Sequence, residues 1–89
     1  MKNVLITTKH RGVFAGQIED GQDINAEIMP VKNAKMAIRF GTTKGVMELA
    51  ETGPTSNSRI SAKADIPSLR DITGLFEITD AAWIKWESA

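Results

Sequence analysis

Residues 35–40 alternate strictly, with Met36, Ile38 and Phe40 on one side and Lys35, Ala37 and Arg39 on the other. A period of two is the signature of a pleated strand with one buried face, because successive side chains point to opposite faces. Gly41 closes the run before a helical period can establish itself. This pattern recurs along the chain and constrains the fold class more than any other feature. Residues 3–8 are rich in Val, Ile and Thr and read as a strand. Val13–Ile18 reads as another, with Phe14, Gly16 and Ile18 on one face and Val13, Ala15 and Gln17 on the other. The polar turn Lys9-His10-Arg11-Gly12 joins the two as a hairpin. Asp20-Gly21 is a strong turn signal, and residues 24–31 read as a third strand, with Pro30 pointing to an edge or a bulge. Residues 61–69 read as extended or loop-like, limited by Pro67. Residues 71–79 alternate again, with Ile72, Gly74, Phe76 and Ile78 facing one way and Thr73, Leu75 and Glu77 the other. Gly74 within that run indicates a bulge or a close backbone approach.

Two short helices complete the pattern. Thr42 or Thr43 can cap a helix carrying Val46, Met47, Leu49 and Ala50, which Gly53-Pro54 ends. Thr79-Asp80 opens a second, in which Trp83 and Trp86 share a face because they stand three residues apart. The expected fold is α+β: a small, strand-dominated twisted sheet or partial barrel with two short helices. At 89 residues the chain, residues 1–89, accommodates one domain. With three Phe, two Trp and no Tyr, the core must be built from Val, Ile, Leu, Met and Ala. A core this thin often leans on a partner subunit, so a homodimer is one expectation.

Several chemistries are disfavoured. There is no Cys, which removes disulfides, thiolate metal sites and cysteine nucleophiles and favours a reducing, cytoplasmic compartment. The apolar run at residues 4–6 is too short for a signal peptide, and nothing approaches the ~20 apolar residues of a membrane span. The initiator Met leads us to expect a complete small gene product. His10 is the single histidine, so no clustered metal site is expected. Asp20, Gly21 and Asp23 lack the further ligands of a calcium loop. Gly41-Thr42-Thr43-Lys44-Gly45 has the wrong spacing for a nucleotide-triphosphatase loop, although backbone amides beside Lys44 can still contact a phosphate. No nucleophile and base are paired, and the acids sit at turns and element ends. We therefore expect a binding protein without a cofactor and not an enzyme.

The charge pattern points to an anionic ligand. Eleven basic and eleven acidic residues cancel, but residues 28–44 carry Lys32, Lys35, Arg39 and Lys44 and no acid. Lys9, His10 and Arg11 occupy a hairpin tip. If these bases converge, they form the positive potential that a phosphate backbone requires. The expected phosphate contacts are Lys9, Arg11, Lys32, Lys35, Arg39 and Lys44, with His10, Arg59 and Lys63 as additional members. Arg39 ranks first, because its planar fork takes phosphate in two-point fashion. Solvated surface charge is the competing reading of the same blocks.

Val13-Phe14-Ala15-Gly16, Val31-Lys32-Asn33-Ala34-Lys35, Met47-Glu48-Leu49-Ala50 and the Ser/Asn-rich loop at residues 52–58 together resemble short accessory proteins of tailed phages. The resemblance runs over most of the chain through short motifs. Size, absence of Cys and the basic strand are also similar to phage-encoded inhibitors of the ToxIN toxin–antitoxin system. That resemblance implies an RNA-binding, anti-defence protein that restrains a ToxN-like endoribonuclease in the host cytoplasm. It assigns no role to individual residues. Two other readings stay open. One is a sponge that sequesters a cyclic nucleotide immune signal through Arg and Lys near a helix N-terminus. The other is a protein-interaction module inhibiting a host factor through Leu75, Trp83 and Trp86, which serve equally well as core or as a homodimer seam.

Overall fold

The computed structural model describes residues 1–9, 12–39, 46–54 and 58–89. Its elements are β1 (Lys2–Thr8), β2 (Val13–Ile18), β3 (Met29–Arg39), α1 (Val46–Glu51), β4 (Arg59–Ile60), β5 (Ala64–Leu69), β6 (Ile72–Glu77) and α2 (Asp80–Ser88). They build an open, six-stranded antiparallel sheet with two short helices, an α+β arrangement. The strand order is β4-β3-β2-β1-β6, and β5 also pairs with β3. Arg39↔Arg59, Ala37↔Ile60, Ala34↔Ala64, Val31↔Ile66 and Met29↔Leu69 follow one line along β3. β4 and β5 therefore share the edge of β3 that lies opposite β2, interrupted at residues 61–63. Only Arg70 and Asp71, the latter at φ 58°, separate β5 from β6. Since β5 and β6 lie at opposite ends of the strand order, so short a link requires the sheet to curl.

Curling gives the two faces different cores. Val4, Ile6, Ile18, Met29, Val31, Ala34 and Leu69 fill the concave side, with Phe14, Ile66, Ile72 and Leu75 packed against them. Leu5, Val13, Ala15 and Ala37 line the other face, beneath Leu49 and Ala50 of α1 and Ala82 and Trp86 of α2. The alternation expected for β2 is met, with Phe14 and Ile18 on one side and Val13 and Ala15 on the other. The helix starting at Thr79 is also met: its hydroxyl accepts from the Ala82 amide at 3.1 Å and donates to the Glu51 carbonyl at 2.7 Å, tying the start of α2 to the end of α1. Gly53, at φ 86°, follows α1 as the expected positive-φ residue. The expected caps Thr42 and Thr43 lie outside the described residues.

Five expectations need correction or sharpening. Residues 24–28 are not strand. The Asp23 carboxylate accepts the Asn25 amide at 2.9 Å and the Asp23 carbonyl accepts from Ala26 at 3.2 Å, which winds this stretch into a turn. The two separate strands read at 24–31 and 35–40 are one, β3. Between Ala15↔Lys35 and Gln17↔Lys32 this strand carries one extra residue, and Asn33 takes the left-handed conformation (φ 52°) as the bulge. Residues 64–69 form a strand despite Pro67, because only the edge facing β3 is paired. In residues 36–38 the expected faces are inverted. Ala37 is buried under the helices, whereas Met36 and Ile38 are 37% and 56% exposed. A smaller inversion occurs in β6, where the register shift opposite Thr7 and Thr8 places Ile72 in the same core as Leu75.

Candidate nucleic-acid interface

The register sorts the expected phosphate contacts by position. Thr8 donates its amide to the Gly12 carbonyl at 2.9 Å, closing the β1–β2 hairpin. Phe14↔Met36 then sets the hairpin tip beside the C-terminal end of β3, where Arg39 stands directly opposite Arg59. Lys9, exposed, and the backbones of Arg39 and Arg59 thus belong to one end of the sheet. His10, Arg11 and Lys44 lie outside the described residues, as does the Arg39 side chain. Lys9 also meets Asp71 there, its amide donating to the Asp71 carbonyl at 3.0 Å.

The other three bases lie elsewhere. Lys32 pairs with Gln17 at the far end of β2. At about 3.3 Å per residue it is roughly 20 Å from Arg39 along the strand, too far to share one phosphate. Its ammonium stands 3.9 Å from the Glu19 carboxylate, and both groups are largely exposed. Such a pair is weak and leaves Lys32 available to solvent and ligands. Lys63, exposed, lies in the short break between β4 and β5.

Lys35 is placed quite differently. It follows the Asn33 bulge, faces the helices, and donates to the backbone oxygens of Trp86 (2.9 Å), Glu87 (3.0 Å) and Ala89 (3.0 Å). A helix C-terminus collects partial negative charge on unsatisfied carbonyls, so an ammonium there is a capping group. Lys35 and Lys63, with Trp83, Trp86 and Glu87, line a crevice of about 30 Å³ between the sheet and α2, room for a water and little more.

The aromatic candidates are distributed by depth. Trp86 is 1% exposed and donates its Nε1–H to the Leu49 carbonyl at 3.0 Å, so it is core. Trp83 and Leu75 are half-buried, packing on opposite faces of the sheet.

One feature had no signal in the residue pattern. A polar chain crosses the sheet: the Gln17 side chain donates to Asn3 (3.0 Å), the Asn33 side chain donates to Gln17 (2.7 Å), and the Asp65 carboxylate accepts the Asn33 backbone N–H (2.9 Å). It fixes the bulge from both neighbouring strands, and only the unusual Asn33 in the basic stretch could have hinted at it.

Among the described residues, no group of three or more His, Asp or Glu is arranged to hold a metal ion. No described helix is long and apolar enough to cross a membrane. No curated protein and no solved structure matches the chain. A family match covers residues 1–86, nearly the whole sequence, and the chain belongs to that family, described as a domain of unknown function, DUF6948.

Proposed function

We propose that this protein binds RNA through the end of the sheet that carries Lys9, Arg39 and Arg59. The observation behind this reading is the cross-strand register Arg39↔Arg59. Like charges directly opposite one another in an antiparallel pair cost stability. A polyanion lying across the two positions relieves that cost and gains charge-assisted hydrogen bonds. Lys9, at the described end of the β1–β2 hairpin, adjoins the same end, and His10 and Arg11 follow it in sequence. The crevice lined by Lys35 and Lys63, at about 30 Å³, is too small for a cyclic nucleotide.

The test is fluorescence anisotropy of a labelled single-stranded RNA with the wild type, Arg39→Ala and Arg59→Ala over a range of salt. Each substitution is expected to weaken binding severalfold and to flatten the salt slope by about 0.7 per lost contact. Lys32→Ala, at the other end of the sheet, should have less effect. Affinity that ignores both arginines and is flat in salt would end the RNA reading.

The biological role we propose rests on the resemblance to tailed-phage accessory proteins, TifA among them. RNA binding by this chain would restrain a ToxN-like endoribonuclease in the infected cell. Co-expression with such a toxin should restore growth, and the double variant Arg39→Ala/Arg59→Ala should fail to do so.

A further inference from the structure

The geometry points to a homodimer formed by antiparallel pairing of β6 with β6 of a second copy. Ile78 donates its amide to Asn3 at 3.0 Å, which fixes the phase of the β1–β6 ladder. Phe76 and Gly74 therefore direct their backbone groups toward β1. Leu75 and Glu77 direct theirs outward, where none of the described residues pairs with them. Toward the start of the strand, the Glu27 carbonyl takes the Ile72 amide at 3.1 Å, so the open edge begins after this contact.

The two borders of the sheet differ. The β4/β5 border is broken at residues 61–63 and carries Lys63, Asp65 and Pro67, features that discourage strand addition. β6 carries no proline and no lysine, and its one charge is Glu77. Grooves of about 360 Å³ and 290 Å³ flank it, one beside Ile24 and Leu75 and the other beside Met47 and Phe76. Ile24 and Met47 are 53% and 59% exposed, so apolar surface borders both sides of this edge.

A second copy fits because the segment is complementary to itself. A two-fold axis through Phe76 sets Leu75 opposite Glu77 of the other copy, twice. The outward N–H and C=O of both residues are then satisfied in both chains. The same register puts the two Phe76 rings in a cross-strand pair and keeps the two Glu77 carboxylates from facing one another. The contact is isologous and closes as a dimer. With only Leu75 and Glu77 pairing their backbones across the seam, association should be reversible and concentration-dependent.

Light scattering and sedimentation should show the 9.7 kDa chain doubling in mass between about 1 µM and about 1 mM. Glu77→Pro removes one outward donor without touching the β1 ladder and should abolish the dimer. Ile24→Lys/Met47→Lys changes two side chains exposed in the monomer and should weaken association at least tenfold with unchanged circular dichroism. This variant keeps the test valid if the proline variant misfolds. A monomer throughout the range, a dimer indifferent to the lysine variant, or an open-ended series of larger species would each overturn the proposal.

Discussion

Lys35→Met separates a capping lysine from a phosphate-binding one. Methionine keeps an apolar stem of similar length against Ala15 and Trp86 and deletes the ammonium alone. Three backbone oxygens then lose the ammonium at 2.9–3.0 Å, and the Trp86 carbonyl keeps only the long 3.4 Å contact from the Ala89 amide. Those of Glu87 and Ala89 lie in exposed contacts and regain water at little cost. That of Trp86 is partly buried and is harder to rehydrate. Loss of a cation from a helix C-terminus costs about 0.3–1 kcal/mol. Leaving the partly shielded Trp86 carbonyl with only the long Ala89 contact adds up to about 1 kcal/mol. The expected destabilisation is about 1–2 kcal/mol, or roughly 4–15 °C in melting temperature for a chain of this size.

Urea unfolding followed by tryptophan emission suits the measurement, because both tryptophans, Trp83 and Trp86, lie on α2. The midpoint should fall with an unchanged m-value. High salt should shrink the loss without abolishing it, since the Trp86 contact is partly shielded. RNA affinity under folding conditions should change little. A midpoint shifted by less than about 0.3 kcal/mol, together with a clear loss of RNA affinity, would refute the capping role and return Lys35 to the phosphate site.

Two further substitutions probe how the helices are held. Gly53→Ala should cost about 2 kcal/mol or more in thermal unfolding, because the residue sits at φ 86° and a Cβ would lie 2.9 Å from the Ala82 carbonyl oxygen and from the Lys85 Cβ; an unchanged melting temperature contradicts this packing. Trp86→Phe should cost about 2–4 kcal/mol in urea unfolding, combining lost buried volume with a Leu49 carbonyl deprived of its donor; a cost below about 1 kcal/mol means that the Leu49 carbonyl finds water.

Much of the architecture is legible in single residues. Phe14 and Ile18 against Val13 and Ala15, Thr79 before α2, and Gly53 after α1 each act through local chemistry, and each lies where its chemistry implies. What was not legible depends on contacts between distant parts of the chain. Lys32-Asn33 breaks the alternation of β3, and such a break reads as a loop. Only the polar chain from Asn3 through Gln17 to Asn33, closed by Asp65, shows why the strand continues through it. Met36 and Ile38 carry the apolar side of a clean period-two pattern, yet α1 and α2 cover the opposite face. Periodicity defines two faces but does not say which of them a helix will cover. The cap on α2 is invisible for the same reason, since Lys35 and Trp86 are 51 positions apart.

The basic stretch illustrates how linear density differs from spatial convergence. Lys32, Lys35 and Arg39 are close in sequence and belong to one strand, but the bulge and the register give them three surroundings: a solvent pair with Glu19, a helix terminus, and a sheet end opposite Arg59. The Asn33 bulge is the step that separates them. Because side chains alternate with a period of two, one extra residue moves everything beyond it to the other face. Without the bulge, a register continued from Gln17↔Lys32 would exchange the faces of residues 34–39, turning Lys35 away from α2 and Ala34 out of the concave core. Gly16 is shaped to the same feature: a Cβ there would lie 2.4 Å from a Val31 methyl and 3.2 Å from the Lys32 carbonyl oxygen. The glycine on β2 and the left-handed asparagine on β3 are thus two halves of one device. It assigns Lys35 to holding the fold and sets it apart from the Arg39 end of the strand.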